Sequence, residues 1–183
     1  MSDGHAERNP EGIVREMLEA AEAGDSGRVL SFLAPDFAVR SWDGTPLVDR
    51  AGYGEALAWD LAAGGSKEIE RLDVVGDTVS LLVLERNRFT DLLDLGPFRL
   101  ELRYVVRGGL VAGQRMRERP GGGRATGVER FTRAIAPVLS WAADEAPGLL
   151  ATATEDGAIV YDGESARALL ELVRRYRREQ GAS

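Results

Sequence analysis

Residues 66–118 constrain the fold more than any other stretch, because their hydrophobic period is two. "SKEIERLDVVGDTVSLLVLERNRF" alternates on either side of Gly76-Asp77, and "GPFRLELRYVVRGGLVAGQRMRE" alternates on either side of Gly108-Gly109. Successive strand residues point to opposite faces, and two alternating runs split by a two-residue glycine turn are a strong hairpin signal. The stretch therefore predicts a long antiparallel meander, with its second strand running on through Phe89. Upstream the period is that of a helix. Ile13, Val14, Met17, Leu18 and Ala21 recur at helical spacing until Gly24 and Asp25. Val29, Leu30 and Leu33 suggest a short second helix ended by Pro35. Phe37 to Trp42 alternates as a strand, and a helix follows from about Arg50 to Ala63.

Downstream of the meander, Val128, Phe131, Ile135, Val138, Leu139 and Ala142 again fall at helical spacing, with a kink expected at Pro137. "LLATATEDGAIVYDG" reads as a small hairpin or an extended wrap. The chain closes on an amphipathic helix whose apolar stripe is Ala166, Leu169, Leu170, Val173 and Tyr176. Helices against one strongly bent antiparallel sheet make an α+β domain. The apolar stripes beyond Gly127 need a surface, and a separate core of about 55 residues is marginal. They are expected to pack on the domain.

Composition removes much chemistry. Cysteine is absent and His5, in the polar leader, is the only histidine. Disulfides and thiol catalysis are excluded, and Ser-His catalysis and an ordinary zinc site lose their ligands. Lys67 is the only lysine. A general acid or base must then be a carboxylate, that lysine, a tyrosine or a bound water, and neither a cofactor nor a metal is expected. The formal charge of -7 gives no argument for nucleic acid. No apolar run has the length of a membrane span, and the leader lacks a signal-like apolar region, so a cytoplasmic location is expected. "RPGGGRATG" lacks the Lys-Ser/Thr ending of a phosphate loop.

The strand period sorts the meander into faces. Val79, Leu81, Val83, Glu85, Asn87 and Phe89 share one. Leu100, Leu102, Tyr104 and Val106 share another, and Leu110, Ala112, Gln114, Met116 and Glu118 a third. The apolar side of the sheet thus carries Glu85, Asn87, Tyr104 and Gln114. Buried polar groups need partners. Two readings stand: a network in which these groups satisfy one another, or a set that faces a ligand. In the second, Glu85 against hydrocarbon has a raised pKa and serves as a base. Asn87 and Gln114 orient a water or a carbonyl oxygen, and Tyr104 donates its hydroxyl to a developing oxyanion. Trp42, Tyr53 and Trp59 either pack in the core or line an aromatic wall that holds a ring-shaped substrate. Asp60 is either a second carboxylate near them or a solvated helix residue. The other side of the sheet carries Arg86, Arg88, Arg99, Glu101, Arg103, Arg115 and Arg117, which reads as a solvated or dimer-forming face.

"FLAPDFAVR" before a strand, the helix with Tyr53, and the late hairpin "YVVRGGLVAGQRMRE" resemble the NTF2-like superfamily, whose members include SnoaL-like polyketide cyclases, ketosteroid isomerases and limonene-epoxide hydrolases. The resemblance implies a conical fold: a curved antiparallel sheet closed by N-terminal helices, with a pocket inside the cone and, here, extra C-terminal helices. It covers the domain at 11–118; the residues themselves read as a flexible leader at 1–10, a Gly-rich loop at 119–127 and a packed helical extension at 128–183. "LERNRF" is similar to the "E-R-x-D-R-F" stretch of the epoxide hydrolases. That match sets Glu85 at their Arg and Asn87 at their first Asp, and the match through "VVRGGLVAGQRM" sets Met116 at their second Asp. The match to the ketosteroid isomerases sets Arg40 or Ser41 at the position of their general-base Asp. Function is thus expected to be cofactor-independent acid-base chemistry on a hydrophobic, cyclic small molecule. The site would comprise Glu85, Asn87 and Tyr104, with Trp42, Tyr53, Trp59, Gln114 and Met116 holding the substrate. A non-catalytic ligand-binding protein and a dimeric scaffold are the alternatives. A homodimer is expected, with neither nucleic acid nor membrane as partner.

Overall fold

The computed structural model describes residues 9–119 and 126–181. Most of the expected leader, His5 included, and residues 120–125 of the Gly-rich loop lie outside the described residues. The elements are α1 (Pro10–Glu22), α2 (Ser26–Ser31), β1 (Ala38–Ser41), β2 (Pro46–Asp49), α3 (Arg50–Ala62), β3 (Ser66–Val75), β4 (Thr78–Arg86), α4 (Arg88–Leu92), β5 (Phe98–Arg107), β6 (Leu110–Glu118), α5 (Gly127–Glu145), α6 (Pro147–Ala153), β7 (Thr154–Glu155), β8 (Ala158–Ile159) and α7 (Gly163–Gly181). Six strands form one sheet in the order β2-β1-β6-β5-β4-β3, and β7 and β8 form a separate hairpin.

The two glycine turns fall where the alternation breaks. Gly108 and Gly109 both take the left-handed conformation, with φ of 55° and 77°, which is what a two-residue hairpin loop demands. Three features depart from the sequence expectation. The sheet is mixed, because β1 runs parallel to β6, pairing Val39 with Gln114 and Arg40 with Arg115. A parallel neighbour needs a long crossover, and the chain between β1 and β6 supplies one. A short strand, β2, pairs antiparallel with β1. And β4 stops at Arg86, so that Asn87 and Phe89 are not strand residues.

The chain divides into two compact units. The first comprises Met1–Gly54, Ile69–Val83 and Leu100–Arg117. Its helix α1 starts on Asn9, whose side chain accepts from the Gly12 amide at 2.7 Å, and has Pro10 in its first turn. Such a cap is worth about 0.5–2 kcal/mol. Ile13, Val14, Met17 and Ala20 form its buried stripe. On the strands, Val79, Leu81 and Val83 are buried, as are Leu102, Tyr104 and Val106. Each such large apolar side chain contributes about 1.5–3 kcal/mol by leaving water. On β6 strict alternation fails: Val111 and Gln114 are both buried. Val111 bridges to Leu33; its amide donates to the Phe32 carbonyl and its carbonyl accepts from the Ala34 amide.

The second unit comprises Glu55–Glu68, Leu84–Arg99 and Glu118–Ser183. One buried cluster joins Trp59 of α3, Ala63 just after it and Phe89 of α4 to Ile135, Val138 and Ala142 of α5 and Leu169, Leu170, Leu172 and Val173 of α7. Trp59 stacks on Phe89 with ring centroids 5.5 Å apart, and Phe89 meets Phe131 edge-on at 5.7 Å. Helix α5 opens with a capping box between Thr126 and Glu129 and continues through Pro137. The stretch left open between hairpin and wrap resolves into α6 followed by the β7-β8 hairpin.

Candidate functional site

Glu85 keeps the parity read from the sequence. It follows the buried row Val79, Leu81 and Val83 along β4, and its side chain is 16% exposed. The Lys67 ammonium lies 3.1 Å from Glu85 Oε2 and 3.3 Å from Asp60 Oδ2. The lysine thus stands between two carboxylates, all three in the second unit. Burial pushes the Glu85 carboxyl above its ordinary value. The Lys67 charge pulls it back, the Asp60 charge pushes it up again, and the Lys67 hydrogen bond lowers it. The net direction is up, so desolvation outweighs the ammonium.

Local backbone chemistry puts Lys67 there. After α3 the chain turns on Gly64, at φ 69°, and Gly65, whose amide bonds the Asp60 carbonyl at 2.7 Å. A Cβ on Gly64 would stand 3.1 Å from Arg88 Nε, and one on Gly65 would stand 3.0 Å from the Asp60 carbonyl oxygen. The positive φ favours glycine at 64, a Cβ at 65 would crowd the Asp60 carbonyl, and the reversal returns Lys67 towards Asp60. The Ala63 carbonyl accepts from the Arg88 amide at 2.9 Å, tying the end of α3 to the start of α4. The signal for Lys67 was present in the sequence as the only lysine, but nothing local joins it to Glu85, eighteen residues on.

The other candidates separate. Asn87 is the N-cap of α4: its Oδ1 accepts from the Thr90 amide at 3.0 Å, while Thr90 Oγ1 accepts from the Asn87 amide at 3.1 Å. The carbonyl oxygen proposed to orient a water thus accepts from its own helix. Trp59 lies in the core of the second unit, stacked on Phe89 and 4.9 Å from the ring of the exposed Tyr161. Tyr161 was not singled out from sequence. Asp60, weighed as a second carboxylate or as a solvated helix residue, pairs with Lys67 while its side chain stays 36% exposed.

In the first unit Tyr104 is 2% exposed on β5. Gln114 is buried on β6, and its Oε1 has no hydrogen-bond partner. Met116 is half-buried opposite Ser41. Tyr53 packs edge-on against Phe37 at 5.1 Å. Trp42 lies beside the guanidinium groups of Arg103 and Arg117, at 4.6 Å and 4.0 Å. Arg103 lies between the buried Leu102 and Tyr104 in sequence, so Trp42 shares the sheet face opposite Tyr104. It belongs to the arginine side and not to a substrate wall shared with Tyr104. Among the described residues no group of three or more His, Asp or Glu side chains is placed to hold a metal ion, and no helix is long and apolar enough to cross a membrane.

No family model matches the chain, and no curated protein sequence does. Solved structures are similar in fold. An NTF2-like protein of unknown function from Cytophaga hutchinsonii superposes with a TM-score of 0.50 at 12% identity, over 61% of this chain and 91% of that one. IdmH, a candidate polyketide cyclase from Streptomyces antibioticus, gives 0.51 at 18% identity over 61% and 92%. A candidate ketosteroid isomerase from Kribbella flavida gives 0.51 at 15% identity over 66% and 84%. The fold is α+β and NTF2-like, and between a third and two fifths of the chain lies outside each match.

Proposed function

We propose that this chain is a cofactor-independent acid-base enzyme acting on a hydrophobic, cyclic small molecule, in a cyclisation, an isomerisation through an enol or a ring-opening hydration. The observation that carries the proposal is Glu85: a carboxylate at the end of an apolar strand row, with its proton affinity raised by burial and its orientation held by one ammonium. A base so placed takes a proton more readily than an exposed carboxylate. In the proposed step ionised Glu85 accepts a proton from a substrate carbon or from a water. Lys67 positions the carboxylate beforehand, and once Glu85 is neutral the ammonium retains Asp60, 3.3 Å away, as its counter-charge. Tyr104 as hydroxyl donor and Gln114, whose buried Oε1 lacks a partner, are proposed as ligand contacts of the first unit. The names of IdmH and the Kribbella flavida protein, for cyclisation and isomerisation, agree with this reading.

The test is the acidic limb of the pH-rate profile for turnover of a panel of hydrophobic cyclic ketones and epoxides. The limb is expected to follow protonation of Glu85 and to move to higher pH in Lys67→Met. A limb that stays fixed in that variant counts against Glu85 as the base.

A second reading is a ligand-binding protein without chemistry, favoured by the ion pair itself, since structural pairs also perturb carboxylates. It predicts saturable binding of the same compounds without turnover. We also propose self-association along β3. This ten-residue strand is at the sheet's edge and is exposed at all but one position, and bare edges invite pairing. A dimer mass in sedimentation is expected; a monomer mass at high protein concentration removes the proposal.

A further inference from the structure

The strands of the first unit carry a second cluster that the acid-base reading does not use. Residues 38–42, 100–107 and 110–117 include Arg40, Arg103, Arg107, Arg115 and Arg117, and a single acidic residue, Glu101, in a chain whose net charge is -7. Arg40 and Arg115 are direct partners in the β1-β6 ladder. Trp42 has the Arg117 guanidinium 4.0 Å and the Arg103 guanidinium 4.6 Å from its ring centroid. Arg117 has its counter-charge: its Nε donates to Glu101 Oε2 at 2.8 Å, and its Nη2 lies 2.6 Å from the same oxygen. Arg103 differs, because its Nε is buried and has no hydrogen-bond partner. Asp43, next to Trp42, is turned into its own loop, accepting from Ser41 Oγ and from the Thr45 amide at 3.0 Å.

A buried guanidinium N–H without an acceptor is costly. The fork of an arginine matches the oxygens of phosphate and carboxylate, and its plane stacks on aromatic rings. We infer that this face binds a small oxyanion, a phosphate or carboxylate carried by a small molecule, through Arg103 and Arg117 beside Trp42. The excess negative charge of the chain opposes a long polyanion, whereas a small ion experiences chiefly the local guanidiniums within a Debye length of about 8 Å.

The 183-residue chain is titrated with inorganic phosphate and, separately, with acetate, each against sodium chloride of matched ionic strength. The indole N–H resonance of Trp42, assigned through Trp42→Phe, is the readout. A saturable shift beyond the chloride control is expected, and the ion that binds more tightly identifies the oxyanion. Arg103→Gln is expected to weaken binding about tenfold or more, the worth of one charge-assisted hydrogen bond. Should that variant fail to fold, Arg103→Lys keeps the charge without the fork and is expected to weaken binding several-fold. A shift no larger than with chloride overturns the inference, as does undiminished binding by either variant. So does a Trp42 shift that follows protein concentration instead of ion concentration, which would assign the face to a second copy.

Discussion

Replacing Lys67 by Met removes one ammonium from between two carboxylates and keeps the length of the aliphatic stem. At 3.1 Å and an effective dielectric of about 20, a single such pair is worth at most about 5 kcal/mol. The side chains are 31%, 16% and 36% exposed for Lys67, Glu85 and Asp60, so solvent screens the pairs in part. Exposed pairs contribute about 0.2–1 kcal/mol, and breaking a buried one costs about 3–5 kcal/mol. An intermediate loss of about 1–2 kcal/mol near neutral pH is expected, a fall in melting temperature of about 2–8 °C for a chain of this size. The pH dependence carries the sharper information. Lys67 lowers the Glu85 pKa through both its charge and its hydrogen bond, so the variant's Glu85 titrates higher still. A carboxyl whose folded pKa is raised contributes stability that is fully present below its unfolded pKa and is lost as pH rises through the folded value. The deficit of Lys67→Met should therefore be largest near pH 7 and shrink towards zero below the ordinary carboxylate range, where Glu85 is protonated. Melting curves from pH 3 to 8 read it directly. A deficit that does not change with pH would assign the effect to packing of the stem and refute the electrostatic account.

Asn87→Ala removes the cap of α4 and is expected to cost about 0.5–2 kcal/mol in chemical denaturation, with kcat retained; a rate loss of a hundredfold would restore Asn87 to the chemistry. Trp59→Ala opens the buried cluster of the second unit and should cost about 3–5 kcal/mol, read by the same denaturation; a neutral result would mean that the ring stacked on Phe89 is not part of a packed core.

The fold was legible where local chemistry and tertiary context agree. The meander announced itself through alternation and two glycine turns, and α1, α5 and α7 through their apolar stripes. The parity count also placed Glu85 on the buried side of β4. What failed depended on contacts distant in sequence or on a competing local signal. Arg88-Phe89-Thr90 extends the alternation of β4, yet the reciprocal bonds of Asn87 and Thr90 start a helix there; that spacing of cap residues was the signal to weigh against the strand. Four residues, Pro46 to Asp49, carry too little pattern to announce β2. Parity alone could not show that the segment after α2 bridges to Val111. Nor could it bring Lys67 to Glu85, because that meeting depends on the Gly64-Gly65 reversal and on tertiary structure. Trp42 was read as part of a substrate wall because an aromatic residue at a strand end does not reveal which face it takes.

The claim at the centre of this account is that Glu85 moves a proton. Gln at position 85 has nearly the same size and hydrogen-bonding capacity and lacks the base. The decisive measurement is the turnover of a substrate found in the panel by Glu85→Gln, with its melting curve recorded at the same pH. Because ionised Glu85 is penalised by burial, Gln should leave stability near neutral pH undiminished. Positioned proton transfer is typically worth about 10²–10⁴-fold, and turnover should fall by that order. A stable, folded Glu85→Gln variant with undiminished turnover would contradict the account.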